Sequence, residues 1–322
     1  MSQINVTNIQ HETGAGSNIT LDASGDVVCA ADVQMASQNG GQLAGFRNQI
    51  INGDFRIAQR GTIVTETTPG YRTLDRWYVG RSASCEEEQV NTYLEQEAGT
   101  SNTMRLNPGN AGNIRQMIEI VQGQPGQFQI GTTWTLSFYC NYDGTSLSIG
   151  FADGISGSTN YVQIVPSGTA AQRVGTTNRY TYTFTIASNP DGNNKGVRVG
   201  LQPSSTEFTD FTGVQLEPGP VATPFEQRPI ATELALCSRY YKSLPILWFC
   251  TVGLSTPTNV TQALWFMDIP MRATPTLEYS AAENVTNVQT GQTNSNCIRV
   301  TGDASQPTVS ARLVDFTATA EL

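Results

Sequence analysis

The segment Gly213–Leu244, GVQLEPGPVATPFEQRPIATELALCSRYYKSL, shows how the chain is divided. Val214 and Leu216 alternate with polar residues, which is the pattern of a strand that buries one face. The run Pro218–Pro220 then ends this strand, since proline and glycine interrupt regular structure. We therefore expect one β-domain to end here and an irregular connection to lead into a second domain.

Apolar residues recur at helical spacing after the prolines. Five of them follow one another at spacings of four, three, four and three: Ile230, Leu234, Cys237, Tyr241 and Leu244. This is the apolar stripe of a linker helix over residues 229–244, with Thr232 as its cap and Pro245 as its stop. Two interpretations stay open. The helix packs on its own domain, or helices of several copies pack around a symmetry axis, because this spacing is also that of a coiled-coil seam.

Three stretches resemble the carboxyl part of structural and fibre proteins of tailed bacteriophages. They are GVQLEPGPVATPFEQRP with ELALCSRYYKS, NQIINGDFRIAQRGT with LDRWYVG (Asn48–Thr62 and Leu74–Gly80), and IPMRATPTL (Ile269–Leu277). In proteins of that group a jelly-roll domain ends in the first of these segments, and the L-C-RYY helix follows it. The resemblance covers about Asn48–Leu277 in consistent order.

This resemblance implies a structural component of a bacteriophage virion. We expect a homotrimeric tail fibre or related appendage that contributes to attachment to the host surface. Its other partners would be further virion proteins and a host cell-surface glycan or protein. Two other functions stay open: a stand-alone carbohydrate-binding module, and a polysaccharide-degrading spike.

The charge of the chain argues against nucleic acid as a partner. The 322 residues include 18 Lys and Arg against 27 Asp and Glu, for a formal net charge of -9. Proteins bind nucleic acid chiefly by neutralising phosphates, which requires the opposite balance. No run approaches the ~20 apolar residues of a membrane span, and the first residues lack a signal-peptide pattern. We therefore expect no membrane insertion and, with the resemblance, a place in the virion after assembly in the host cytoplasm.

Residues 1–45 form an extended segment that is predicted to need a partner. Ile19 and Leu21 form one alternating run, and Val27 and Cys29 form a second, as in a hairpin. A lone hairpin is marginal in water, so we expect it to pair with another copy or another virion protein. The alternative is that it folds back on its own jelly roll. In the fibres that the chain resembles, this part commonly docks to the virion.

Residues 46–228 carry the strand signals of an antiparallel jelly-roll sandwich. Many short runs separated by turn residues, with no strong helical run, are typical of this fold. The runs are Gly53–Ala58, Arg76–Arg81, Asn102–Leu106, Ile114–Val121, Thr133–Asn141, Ser146–Phe151, Tyr161–Val165, Tyr180–Ile186, Gly196–Leu201 and Thr209–Leu216. The acidic triplet Glu86–Glu88 is interpreted as a solvated sheet edge that discourages stacking.

The layout of this domain resembles a carbohydrate-binding module. In that group a structural calcium ion often sits between the first and last strands. Asp54 and Asp210 are the metal candidates that this resemblance implies, but Arg56 stands where an acidic residue would help. We therefore expect no cofactor, with this calcium ion as the alternative left open.

Sugar binding on such a fold needs exposed aromatic rings, because a pyranose ring packs its apolar face on them. Seven rings are available: Trp77, Tyr78, Trp134, Tyr139, Tyr142, Phe151 and Tyr161. Most are expected in the core. Tyr142 and Tyr161 lie beside turn residues and are the candidate ligand contacts.

Residues 245–322 are predicted to form a smaller carboxyl-terminal β-sandwich. Its strand-like runs are Leu247–Val252, Ala263–Ile269, Thr276–Ser280, Asn284–Val288, Cys297–Val300 and Thr308–Phe316. Four aromatic residues are expected to anchor it: Trp248, Phe249, Trp265 and Phe266. The whole chain is thus predicted to be all-β, with a short helix joining its two sandwiches. No repeat at a fixed period is present, which argues against a β-helix tailspike.

Catalysis is not predicted. The one histidine, His11, would have to serve any Ser-His-Asp or Cys-His arrangement, and it lies in the amino-terminal segment. The six cysteines show no CxxC spacing and have no histidine partner nearby, so zinc is not expected. Free buried thiols are expected, and disulfides stay open as the alternative. A glycosidase needs only two carboxylates, which keeps the polysaccharide-degrading alternative open.

Overall fold

The computed structural model describes residues 8–9, 19–21, 27–29, 46–66, 68–80, 85–108, 113–120, 128–155, 161–166, 168–187, 196–203, 205, 207–251, 260–304 and 311–321. The chain forms two compact units, Met1–Gly45 and Phe46–Leu322. Every strand pairing within the described residues is antiparallel. The predicted all-β class is therefore confirmed.

The amino-terminal unit contains a three-stranded sheet in the order β1-β2-β3. Its strands are β1 (Asn8–Ile9), β2 (Ile19–Leu21) and β3 (Val27–Cys29). Ile19 pairs with Cys29, as expected for the predicted hairpin, and Ile9 adds a third strand by pairing with Ile19. His11 lies outside the described residues.

The larger unit begins with a sandwich of thirteen strands and a short helix within its described residues. They are β4 (Ile63–Glu66), β5 (Gly70–Tyr71), β6 (Tyr78–Val79), β7 (Cys85–Val90), α1 (Leu94–Ala98), β8 (Thr103–Pro108), β9 (Ile114–Glu119), β10 (Thr133–Cys140), β11 (Ser146–Ala152), β12 (Val162–Gln163), β13 (Gln172–Arg173), β14 (Arg179–Thr185), β15 (Gly196–Gln202) and β16 (Thr209–Pro218).

These strands form two facing sheets around one core. The seven-stranded sheet has the order β13-β14-β10-β16-β8-β7-β4, and the six-stranded sheet has the order β12-β11-β15-β9-β6-β5. Alternate residues of both sheets fill the space between them, as the period of two requires. The fully buried members include Leu136, Phe138, Ile149, Phe151, Val197, Val199, Val214 and Leu216.

Two local predictions for this sandwich are wrong. The run Gly53–Ala58 is not a strand, because Asn52 and Phe55 take positive φ values of 57° and 58° and turn the chain. The triplet Glu86–Glu88 does not form a sheet edge, since β7 pairs with β4 on one side and β8 on the other. The acidic composition of this triplet does not show that a further strand, Ile63–Glu66, pairs with it.

The strand β16 buries both of its faces rather than one. Val214 and Leu216 lie in the core as predicted, but Gln215 and Glu217 are also fully buried. The chain that follows the proline turn covers them: the Thr223 amide donates to Glu217 Oε1 at 2.8 Å, and the Glu226 amide donates to Gln215 Oε1 at 2.8 Å. The polar positions of the strand thus hold the connecting segment in place.

Asn48 joins the start of the sandwich to its last strand. Its side-chain Oδ1 accepts from the amides of Ile50 at 2.9 Å and Leu216 at 3.0 Å, and its Nδ2 donates to the Val214 carbonyl at 3.1 Å. A Cβ at Gly53 would overlap that same Val214 carbonyl, so only glycine fits there. Hydrogen bonds and close packing therefore hold the first segment of the sandwich beside its last strand.

Further buried hydrogen bonds and an ion pair connect these segments to the helix that follows. Arg228 donates to the Ile50 carbonyl at 3.1 Å and pairs with Glu233 at 3.2 Å. Asn52 donates to the Ile57 carbonyl at 2.8 Å, and its own carbonyl accepts from Trp77 Nε1 at 2.8 Å. We call this set, together with Asn48 and Glu217, the buried polar network. All its members lie in the segments that carry the resemblance to phage fibre proteins.

The linker helix is shorter than its apolar spacing predicts. Helix α2 (Ile230–Ser238) starts after Pro229 with no side-chain cap, so Thr232 is not the cap, and the chain enters a strand at Tyr241. Pro245 lies within that strand rather than stopping a helix. Proline is tolerated there because, among the described strands, this one pairs with one neighbour only and lies at the edge of its sheet.

The carboxyl-terminal part forms the predicted smaller sandwich. Its strands are β17 (Tyr241–Trp248), β18 (Cys250–Thr251), β19 (Val260–Phe266), β20 (Thr276–Glu278), β21 (Ala281–Glu283), β22 (Val285–Thr293), β23 (Cys297–Ala304) and β24 (Arg312–Thr319). One sheet has the order β17-β24-β20, with β21 also paired to β24, and the other has the order β18-β19-β23-β22. Its core includes Leu247, Phe249, Ala263, Ile298, Val300, Leu313 and Phe316.

Only part of the predicted aromatic anchor is buried. Phe249 lies in the core, and the Trp265 ring meets Phe316 with centroids 5.8 Å apart. Trp248 and Phe266 are 53 % and 70 % exposed. The expectation that all four rings anchor the domain is wrong, because neighbouring residues of an extended chain point to opposite faces.

The two sandwiches share an interface within the larger unit. Arg60 pairs with Glu321 at 3.2 Å, and its guanidinium lies 3.6 Å from the centroid of the Tyr241 ring. The Arg76 guanidinium stacks 3.5 Å from the Tyr240 ring centroid and also pairs with Glu321. Arginines of the larger sandwich thus meet aromatic and acidic residues of the smaller one.

Two further expectations concern thiols and membranes. Cys140 and Cys237 are buried free thiols. Neither α1 nor α2, the helices found in the described ranges, has the length and hydropathy needed to cross a membrane.

Candidate ligand-binding site on the six-stranded sheet

The outer face of the six-stranded sheet combines glycine, arginine and aromatic residues. In β15, Val197 and Val199 point into the core, so Arg198 and Gly200 take the opposite face. The same alternation in β9 and β11 turns Arg115 and Gly150 outward. We call this surface the outer face.

The strand register arranges these residues in two rows across the sheet. Residues directly opposite each other in antiparallel strands share a face and come within side-chain contact. One row is Ser148, Gly200, Arg115, Tyr78 and Tyr71. The second row is Gln163, Gly150, Arg198 and Met117. Arg115 and Arg198 are therefore diagonal neighbours on adjacent strands.

Tyr161, one of the two predicted ligand contacts, lies on this outer face. A Cβ at Gly150 would come within 2.5 Å of its ring, so the ring rests where that strand has no side chain. The Tyr161 hydroxyl is 3.3 Å from Ser148 Oγ, and the Arg198 guanidinium lies 4.1 Å from the ring centroid. The half-buried ring thus packs on Gly150, with the positively charged Arg198 beside it.

Arg115 and Arg198, which we call the arginine pair, carry two neighbouring positive charges. Arg198 is only 7 % exposed, and its Nε has no hydrogen-bond partner among the residues described. Arg115 donates one long hydrogen bond, 3.4 Å to the Ile155 carbonyl. The pKa of Arg115 is lowered, first by burial and then by the charge of Arg198. Within the described ranges, neither guanidinium meets a carboxylate at ion-pair distance.

Apolar and aromatic side chains border the arginine pair. Tyr71 and Tyr78 meet edge to face, with ring centroids 5.4 Å apart. Met117 and Ile155 pack with them in a small cluster separate from the main core. At the end of β9, Glu119 accepts from the Tyr240 hydroxyl at 3.2 Å, so the smaller sandwich adjoins this face.

Tyr142, the other predicted ligand contact, lies elsewhere. It follows β10 in the seven-stranded sheet, packs partly against the main core, and its amide donates to Cys140 Sγ at 3.3 Å. The structure therefore does not bring Tyr142 and Tyr161 together. Trp77, Trp134 and Phe151 are buried, as expected for core rings.

The donors around Asp54 and Asp210 do not fit a calcium site. Asp54 is buried against the Arg56 guanidinium, and burial raises its pKa in spite of that charge. Asp210 accepts from Arg105 Nε at 2.8 Å and Nη2 at 3.0 Å. Each carboxylate already meets a positive charge, and calcium requires several oxygen donors around one point. Across the described ranges, no three His, Cys, Asp or Glu residues are grouped to hold a metal ion.

Sequence reasoning missed the arginine pair, although one signal for it was present. In VRVGLQ, Arg198 stands between Val197 and Val199 of an alternating run, which predicts an outward side chain. In IRQMIE, Arg115 stands between Ile114 and Gln116, and the run does not alternate clearly. The pairing of β9 with β15 cannot be read from that pattern. The two arginines are far apart in sequence, and only the register makes them neighbours.

Neither a protein-family model nor a curated protein sequence matches the chain. Among solved structures, a tailspike protein 4 domain of bacteriophage CBA120 is 18 % identical over 53 % of this chain and 21 % of its own, with a TM-score of 0.32. A xylanase 10B fragment of Clostridium thermocellum, solved with xylohexaose, is 12 % identical over 53 % of this chain and 30 % of its own, with a TM-score of 0.28.

The amino-terminal cellulose-binding domain of a Cellulomonas fimi β-1,4-glucanase is 15 % identical over 51 % of this chain and 94 % of its own, with a TM-score of 0.22. The present chain thus spans about a fifth of the tailspike chain and under a third of the xylanase chain. All three TM-scores are below 0.5, so these neighbours assign neither a family nor a function.

Proposed function

We propose that the chain is a structural component of a bacteriophage virion, a homotrimeric tail fibre or related appendage that contributes to host-surface attachment. One observation carries this proposal. The segments around Asn48–Thr62 and Gly213–Arg228, which resemble phage fibre proteins, interlock through the buried polar network. The resemblance therefore lies in residues that build the framework of the larger sandwich.

The outer face is the surface that would meet a host glycan in this role. The Tyr161 ring packs on Gly150, with the Ser148 hydroxyl and the Arg198 guanidinium near it. Such a mixture suits a sugar, which offers an apolar ring face and several hydroxyl groups. Three such faces on one fibre would turn weak single contacts into durable adhesion through effective concentration.

Binding to host cells tests the role of the outer face. Labelled full-length protein should adhere to cells of the host strain, and Gly150→Ala should weaken that adhesion because the new methyl group displaces the Tyr161 ring. Gly70→Ala is the matched control, since nothing lies within 4 Å of a Cβ there. Equal adhesion of both variants would contradict the assignment of the outer face. Absence of adhesion by the unmodified protein would contradict the attachment role.

The proposed role is binding rather than catalysis. Incubation of the purified protein with the host polysaccharide should release no reducing ends. Their release would instead favour the polysaccharide-degrading alternative.

The amino-terminal unit is the part that we expect to dock to other virion proteins. A chain that lacks residues 1–45 should fold, since Phe46–Leu322 is a compact unit, but should be missing from purified particles. Incorporation of the truncated chain into particles would contradict this docking role.

A further inference from the structure

The arginine pair determines which charge a ligand of the outer face should carry. Two other buried arginines of the chain meet carboxylates: Arg76 pairs with Glu321, and Arg228 pairs with Glu233 at 3.2 Å. Arg198 is buried to a similar degree, but in the described ranges it meets the Tyr161 ring instead of an acid. The pair is thus a local positive site on a chain of net charge -9.

Two guanidinium groups on adjacent strands that meet no carboxylate in the described ranges are costly for a folded protein. Burial removes hydration from Arg198, and each charge opposes the other. The lowered pKa of Arg115 has both of these causes. An anion bound between the two groups would offset both costs.

We propose that the arginine pair binds the carboxylate of an acidic sugar, so that the glycan recognised by the outer face contains uronic or sialic acid residues. This inference rests on the proposed function, because it names the ligand class of the same surface. Guanidinium groups match the planar carboxylate through paired N–H donors, which fixes orientation as well as charge.

The surroundings of the arginine pair favour a sugar acid over other anions. The half-buried Tyr161 ring, which covers Gly150, offers an apolar surface beside the charges, which a sugar ring can cover and a free phosphate cannot. Nucleic acid is disfavoured because the chain as a whole is acidic and would repel a polyanion. A single carboxylate on a neutral ring fits both conditions.

Pairs of ligands that differ only in the charge of the carboxyl group test whether that charge is needed for binding. The full-length protein would be titrated calorimetrically with oligogalacturonate, oligoglucuronate and sialyllactose, each beside its carboxyl methyl ester. At least one acid should bind, and its ester, which keeps the ring and hydroxyl groups, should bind about 10- to 100-fold more weakly. Equal binding of acid and ester, or no binding of any of these acids, would overturn the inference.

Variants of the pair test the same point from the protein side. Arg198→Gln and Arg115→Gln should each weaken binding of the acid by about 10- to 100-fold, with little effect on the ester. Arg173→Gln removes an exposed arginine from the other sheet and should leave both affinities unchanged. The thermal unfolding midpoint should change little in Arg115→Gln or Arg198→Gln, because relief of the repulsion between the two charges opposes the loss of the Ile155 hydrogen bond or of the Tyr161 contact. A lower midpoint with unchanged acid binding would assign the pair a structural role and overturn the proposal.

The outcome is distinguishable from a failure of the proposed function. Unmodified protein that adheres to host cells, with adhesion unaffected by both arginine variants, would overturn the acidic ligand alone. Failure of the unmodified protein to adhere would overturn the attachment role as well.

Discussion

Buried amide side chains connect segments of this chain that are far apart in sequence. Asn48 and Asn52 each bond to backbone groups of two or more segments, and neither is exposed. An amide side chain suits this task because it donates and accepts at once. The sequence marked these residues through their resemblance to phage proteins. Their role in joining the first and last segments required the structure.

Replacement of Asn48 should destabilise the larger sandwich strongly. Asn48→Ala leaves the buried amides of Ile50 and Leu216 without their acceptor, at a cost of about 2–5 kcal/mol in the free energy of unfolding. Guanidinium unfolding followed by circular dichroism would measure this loss. Asn91→Ala, at an exposed position, is the control and should change stability little. A similar loss in both variants would contradict the role given to Asn48.

Asp75 gives the interface between the sandwiches a pH dependence. Its side chain accepts from the Gln59 amide at 3.1 Å and meets Arg60 at 3.4 Å. Burial nevertheless raises its pKa from 3.8 to about 6, since desolvation outweighs these favourable contacts. Between about pH 4 and pH 6 the folded chain therefore holds a proton that the unfolded chain has lost, and this group lowers stability as pH rises.

Removal of the Asp75 charge should abolish this contribution. Between pH 4 and pH 7, Asp75→Asn should gain roughly 3 kcal/mol of unfolding free energy relative to the unmodified chain. Guanidinium unfolding at several pH values gives the two profiles. Glu207→Gln, which removes an exposed carboxylate, controls for the change in net charge. Parallel profiles for Asp75→Asn and the unmodified chain would refute the buried charge as the cause.

At the level of elements, the periodicity of the sequence predicted where most strands lie but not which strands pair with each other. Alternation located most strands of the larger sandwich, because each buries one face in a common core. It could not show that β9 lies beside β15, or that β7 is covered by β4. The turn residues beside Tyr142 and Tyr161 predict ligand contacts, but they do not show that the two residues flank strands of different sheets. Pairing depends on contacts across the whole sandwich, which a local pattern does not contain.

Helix α2 leaves two apolar side chains exposed. Ile230 and Leu234 of the predicted stripe are 53 % and 41 % exposed, while Cys237 is buried. The other two residues of the stripe, Tyr241 and Leu244, lie in β17 and pack within the chain, so packing on its own domain leaves only Ile230 and Leu234 of the stripe unexplained. We expect Ile230 and Leu234 to contact other copies in the proposed trimer.

Polar replacement of these two residues should weaken the trimer. The double variant Ile230→Ser with Leu234→Ser should dissociate at a higher protein concentration, since each buried aliphatic side chain contributes about 1.5–3 kcal/mol. Sedimentation across a concentration series would measure this change. Val174→Ser, at another exposed aliphatic residue, should leave association unchanged. Undiminished association of the double variant would exclude the helix from the trimer contact.

The whole molecule combines a small amino-terminal sheet with a larger unit of two joined sandwiches. Its larger sandwich consists of two facing sheets, and the outer face of one of them is the surface that we propose to meet a glycan. A fibre would present three such faces together, and the acidic surface of the chain would keep the assembly soluble. In the proposed fibre, association of three copies would therefore serve both the structural role and the attachment role.

The absolute mass of the full-length protein in solution tests this account most directly. Light scattering on the purified chain should give about three times its mass of 34.8 kDa. A value near 34.8 kDa would contradict the homotrimeric fibre and favour a stand-alone binding module.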